Sequence, residues 1–141
     1  MSKERTAMAK VEIPWWVRLI VILGAILTTM GAVIALVHPE MLVSPHDEIN
    51  GAVRIYAGYL AARNLALALM LAGLLVVGAK RPLSHLMVLV ALIQMLDVCM
   101  DAVEGRWMVV PGVLLFGVVF LIAAARLSEG TPLWKIEAWV R

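Results

Sequence analysis

Apolar residues in this chain come in four long runs parted by short polar breaks, with little alternation and no single amphipathic stripe. The first, Val17 to Val37, carries no charge after Arg18. The others are Ala52 to Gly78, Leu83 to Val103 and Met108 to Leu127. Crossing ~30 Å of hydrocarbon takes about 20 helical residues at ~1.5 Å each, which is the length of these runs. No water is present there to satisfy a bare backbone, so each run must close its own hydrogen bonds as a helix. The pattern predicts an all-α polytopic membrane protein, a four-helix transmembrane bundle.

The breaks set the domain organisation. Residues 1–16 form a cytoplasmic or interfacial segment, ending in Trp15-Trp16 where an amphipathic indole belt is favoured. Residues 17–127 form the bundle, with spans of about 17–37, 52–78, 83–103 and 108–127. The connections are a polar loop from His38 to Gly51, a basic turn from Ala79 to Pro82, and a short loop from Glu104 to Trp107. Pro82 and Pro111 suit the first turns of the helices they precede. Residues 128–141 read as a short interfacial C-terminal helix: Thr131-Pro132 resembles a cap and first turn, followed by mixed apolar and charged residues. A cleaved leader fits less well, because the first apolar run exceeds the usual ~7–15-residue signal core.

Composition sharpens this reading. The chain has 141 residues, 63% of them hydrophobic and 16% charged, against roughly half and a quarter in soluble domains. The net charge of +2 does not suggest nucleic acid, since the basic residues flank the apolar runs. Lys3, Arg5, Lys10, Arg18, Lys80, Arg81, Arg126, Lys135 and Arg141 fall on one side of the predicted bundle. The other loops hold only Arg54 and Arg106, with Glu40, Asp47, Glu48 and Glu104. This bias predicts an inner (plasma) membrane protein with both termini cytoplasmic. A single cysteine, Cys99, excludes an internal disulfide framework.

Charges inside the apolar runs are the candidate chemistry. Asp97, Asp101 and Glu104 are spaced i, i+4, i+7 and share one face of the third helix. Tyr56, Tyr59 and Arg63 share a face of the second, with Asn64 beside them. The two helices form a hairpin about the Arg81 turn. Arg63 lies 18 positions before Arg81 and Asp97 lies 16 after it, so their levels nearly match. An unpaired charge in hydrocarbon costs about 2.5–3.5 kcal/mol on insertion scales, which favours pairing. Arg63 and Asp97 are the expected pair, and the planar guanidinium can bridge a second carboxylate. Three readings follow: a helix-locking network, a ligand pocket lined by these residues, or a proton or ion path. The path is the weakest, because the cytoplasmic half offers only Thr28, Thr29, Ser84 and Gln94.

Other features carry less. His38, His46, Asp47 and Glu48 match no common metal-ligand spacing and read as solvated loop residues, so no metal site is expected. His85 reads as interfacial. Gly58, Ala62 and Ala66 make a small-residue stripe on the second helix, and Gly24, Thr28 and Gly31 another on the first. Both are expected to pack within the bundle. There is no P-loop, dinucleotide fingerprint, nucleophile elbow or CxxC.

The order of features resembles the DoxX-like group of small four-span bacterial membrane proteins. The supporting residues are Arg18 and Gly31 in the first span, Pro39-Glu40 after it, and NGAVRIYAGYLAARNLALAL from Asn50 to Leu69. The basic turn Ala79 to Pro82 and LDVCMDAVEG at the end of span three complete it. The likeness covers about residues 17 to 127. It implies a membrane subunit with a quinone or small-molecule pocket, or a redox enzyme coupled to quinone or a partner protein. The Phe and Lys often found late in the first span of that group are absent; Thr28-Thr29-Met30-Gly31 stands there.

Sequence alone thus favours a non-catalytic subunit or small-molecule-binding protein, its pocket lined by Tyr56, Tyr59, Arg63, Asn64, Asp97, Asp101 and Glu104. A small redox enzyme is the alternative. Quinone enters as a cofactor through the resemblance only. The expected partners are the lipid bilayer, a membrane or redox protein, and a second copy of the chain.

Overall fold

The computed structural model describes residues 12–43, 48–128, 133, 135 and 136. Four α-helices are present, α1 (Trp15–Val37), α2 (Gly51–Val77), α3 (Lys80–Val103) and α4 (Val110–Leu127), with a short 3-10 turn at Pro39–Leu42. All four are long and apolar enough to cross a membrane. The four helices begin and end within three residues of the four apolar runs. The tail helix and most of the N-terminal segment lie outside the described residues.

Local chemistry sets the helix ends. Pro14 precedes α1, and its carbonyl accepts from the Arg18 N–H at 3.1 Å. The Arg18 Nε donates to the Ile13 carbonyl at 3.0 Å, tying the basic side chain to the entry of the helix. Asn50 caps α2, its side-chain oxygen accepting from the Val53 N–H at 3.1 Å.

The hairpin turn after α2 rests on Gly78, whose φ of 73° is left-handed and costs an L side chain energy. In that conformation Gly78 N–H reaches Leu75 and Ala79 N–H reaches Leu74, closing the helix end. Gly105, with φ of 74°, does the same for α3: Gly105 N–H donates to Ala102, and Arg106 N–H to Asp101 at 2.8 Å. The second closure matters for the charged residues, as described below.

Burial is uneven along the bundle. The main core gathers Val17 and Val21 of α1, Leu71 of α2, Leu83, Met87, Val90 and Ala91 of α3, and Phe120, Ala123, Ala124 and Leu127 of α4. These residues lie at the end of the bundle that carries the α2–α3 turn. Every buried residue of α3 is in its first half, and every buried residue of α4 lies from Gly117 onward. Gly24 of α1 lets the Phe120 ring seat where a Cβ would stand. Ser84 is buried in this core, and its Oγ donates to the Ala124 carbonyl at 2.8 Å, joining α3 to α4. We call this the closed end.

Toward the other end, the second core cluster belongs to α1 and α2 alone, through Ala32, Ala35, Ala57 and Ala61. Small side chains allow those two helices to approach closely without a hydrophobic driving force. On α3, Leu92, Leu96, Met100 and Val103 are exposed there. The fold is therefore an α1–α2 pair and an α3–α4 pair, fused into one core at the closed end and separately packed at the open end.

Candidate functional site at the open end

The charged residues of the sequence stand where the common core has run out. Arg63, on α2, donates from Nη2 to Asp97 Oδ2 of α3 at 3.2 Å. The level matching of the hairpin was thus sufficient to find this pair. It joins two helices that come from different packing pairs. Its side chains are about one-third exposed, 38% for Arg63 and 36% for Asp97.

Arg63 does not bridge to a second acid. Asp101 is instead paired with Arg106 at 3.3 Å, and it is the better covered carboxylate, with 15% of its side chain exposed. Glu104 stands 4.0 Å from the same guanidinium and is half exposed. The reason is the turn at Gly105. By reversing the chain there, it carries Arg106 back over the last turn of α3. Backbone and side chain of Arg106 then both address Asp101. A glycine just past an apolar helix followed by a basic residue, Gly105-Arg106, was the signal in the sequence that could have revealed this. It was missed because Arg106 was counted as a loop charge.

Asn64 turns from the ion pair toward α1. A Cβ built on Gly31 would stand 3.1 Å from its Nδ2, so the missing side chain at Gly31 makes room for the amide. Tyr56 and Tyr59, by contrast, are exposed, and among the described residues neither hydroxyl has a hydrogen-bond partner. They share the Arg63 side of α2 without closing over it. The structure therefore gathers Arg63 and Asp97 at one point, and Asp101, Glu104 and Arg106 at a second. Asn64 lies against α1, and the tyrosines face outward.

One atom at the first point is unmatched. Arg63 Nε is shielded from solvent and has no hydrogen-bond partner, the only such buried side-chain atom among the described residues. Leaving a buried donor unsatisfied costs roughly 1–3 kcal/mol. Nη2 is committed to Asp97, while Nε, which offers a further N–H of the same fork, is not.

One expectation from the small-residue pattern is corrected. The stripe of Gly58, Ala62 and Ala66 does not pack within the bundle: Ala62 and Ala66 are exposed, and a Cβ on Gly58 would meet nothing within 4 Å. Here the close approach of α1 and α2 runs through Ala57 and Ala61 instead, one position back. Cys99 is exposed on α3.

A separate apolar groove of about 560 Å³ runs between α1 and α2, lined by residues such as Ile22, Ile26, Met30, Leu65, Leu69 and Val76. At ~100° per residue its α2 lining centres roughly 180° from Arg63. The groove and the ion pair thus occupy opposite sides of α2. A single ligand cannot place its head at Arg63 and its tail in this groove.

In the α1–α2 connection, His38 Nδ1 lies 2.8 Å from Glu40 Oε1, with both side chains exposed. The Glu40 carboxyl is held below its ordinary value by a hydrogen bond from its own backbone N–H, then by His38.

Comparisons with protein-family models, with curated proteins and with solved structures find no match for this chain.

Proposed function

We propose that the protein is a non-catalytic membrane protein that binds a small amphiphilic molecule between its two helix pairs, against Arg63 and Asp97. The observation that carries this reading is Arg63 Nε, withdrawn from solvent yet lacking an acceptor. Arginine–carboxylate pairs are frequently bidentate, and this one uses only the Nη2 side of that edge of the fork. The absence of a common core at the open end supports the same reading. It leaves α3 to be covered there by lipid, ligand or partner.

On this proposal the four helices cross the plasma membrane with both termini cytoplasmic, following the basic bias of the loops. The ion pair then lies in the outer half, inside the membrane, where a charged pair needs strong compensation. A quinone is one candidate ligand through the DoxX-like resemblance. A partner protein would dock on the exposed outer part of α3.

The test is direct. The wild-type protein and Arg63→Gln are extracted from native membrane into lipid nanodiscs, and co-purifying small molecules are identified by mass spectrometry. A species retained at stoichiometric level by wild type and lost from Arg63→Gln is the expected result. Identical lipid profiles from the two proteins would refute the binding site.

A further inference from the structure

The groove between α1 and α2 is one leaflet long. Its α2 lining runs from Leu65, at the middle of the helix, to Val76 in the last turn. That is about 16 Å at ~1.5 Å per residue, against ~15 Å for half of the ~30 Å hydrocarbon layer. On α1 the lining begins at Val21, so the groove starts at the closed end and stops near the midplane of the bundle. Its walls include Ile22, Ile26, Leu65 and Leu69, all exposed, over a floor that includes the buried Ala68. Thr29 carries the one hydroxyl among the lining residues, and it donates to the Ala25 carbonyl of its own helix at 2.7 Å. The groove therefore offers depth and hydrocarbon contact, with no polar group left to address.

A place for a head group stands just beyond its closed-end mouth. Arg18 precedes Ile22 by four positions and Ile26 by eight, which sets it on the same face of α1. It is exposed, and its side chain runs toward the start of the helix, where Nε meets the Ile13 carbonyl at 3.0 Å. Its Nη groups make no hydrogen bond or ion pair with the described residues. Trp15, three positions earlier and exposed, adds an indole at the level where such rings settle. Lys80 opens α3 just past the turn that follows Val76. Arg81 and Arg126 lie at this end too, and among the described residues flanking these helix ends Glu12 is the one acid.

We infer that the groove seats one acyl chain of an anionic phospholipid, drawn from the leaflet beside the closed end, with its phosphate against Arg18 and Lys80. A guanidinium is suited to two parallel bonds to a phosphate, and basic clusters at a membrane surface draw anionic head groups. The site lies across α2 from Arg63, so it is separate from the one proposed above and stands or falls without it. A second copy of the chain fits the groove less well. Close helix contact in a membrane needs small residues at the surface, and here the outer walls are Ile and Leu.

The experiment delipidates the protein in detergent and titrates it with dioleoyl phosphatidylglycerol or dioleoyl phosphatidylcholine, which share their chains and differ in charge. Native mass spectrometry counts retained lipid, and thermal unfolding follows its effect. The expected result is one phosphatidylglycerol per chain with a saturable rise in Tm, and phosphatidylcholine bound at least about tenfold more weakly. Arg18→Gln should erase that preference; Lys80→Gln should reduce it, and decides the matter if Arg18→Gln does not fold. Ala72→Phe, at an exposed position of the lining, fills the groove and should weaken both lipids. Equal binding of the two lipids by the wild type, or a preference untouched by both charge variants, would overturn the anionic head group. Phosphatidylglycerol binding untouched by Ala72→Phe would overturn the groove as its seat. A lipid-free dimer that Ala72→Phe dissociates would overturn the lipid in favour of a second copy.

Discussion

The Arg63–Asp97 pair offers the most stringent test of how the bundle is held at its open end. Arg63→Ala and Asp97→Ala each remove one partner and leave the other charge unpaired. Both side chains are about one-third exposed, so the pair sits between two regimes. Exposed pairs are worth roughly 0.2–1 kcal/mol, whereas breaking a buried pair costs about 3–5 kcal/mol. A single charge-assisted bond at 3.2 Å, long for its kind, argues for the lower part of that interval. We expect each single variant to lose about 2 kcal/mol and the coupling between them to be about 1–1.5 kcal/mol. The double variant should then be less damaged than the two losses added together. Reversible unfolding in bicelles, read by steric trapping or by denaturant titration, measures all four proteins of the cycle. Losses that add to within about 0.5 kcal/mol would show the two residues to be energetically independent, and the bridge between the helix pairs would have to be abandoned.

Four further substitutions test other parts of the fold. Gly24→Ala places a methyl group into the Phe120 ring and should cost about 1–3 kcal/mol, whereas Gly58→Ala, with nothing within 4 Å, should be neutral or stabilise by up to about 1 kcal/mol; thermal unfolding in detergent ranks the two. Ser84→Ala removes the bond to the Ala124 carbonyl in the closed core and should cost about 1 kcal/mol, again read by thermal unfolding. Glu40, whose carboxyl is held below its ordinary value, stabilises the folded loop at pH above the ordinary glutamate range. That contribution is lost as pH falls through the lowered value. His38→Ala should move the Glu40 titration, followed by carboxyl-carbon NMR, only part of the way back, because the larger cause is its own backbone N–H.

Much of the architecture was legible because membrane crossing imposes so few solutions. Four apolar runs of sufficient length dictate four helices, and Pro82 and Pro111 fall in the first turns of α3 and α4. Counting outward from a tight turn also placed Arg63 level with Asp97, since a hairpin of two regular helices keeps a fixed rise per residue. The same counting failed for Asp101. It ignored the turn at Gly105, which reverses the chain and brings in a cation from beyond the helix.

Away from the charged residues, facing was not legible. In a helix that is apolar all round, the side touching a neighbour and the side touching lipid carry the same residue types, so periodicity gives no direction. This is why Gly58, Ala62 and Ala66 seemed as fit to pack as Ala57 and Ala61, one position away.

The sequence by itself thus determined that the chain forms four membrane-length helices, where they end, and which charges share a level. Composition and backbone hydrogen bonding decide those things locally. Only the tertiary structure decided that the common core closes at one end and that the apolar groove lies across α2 from Arg63. It also buried Arg63 Nε without an acceptor. Each of these depends on the rotation of a helix about its own axis, which packing fixes and hydropathy does not record.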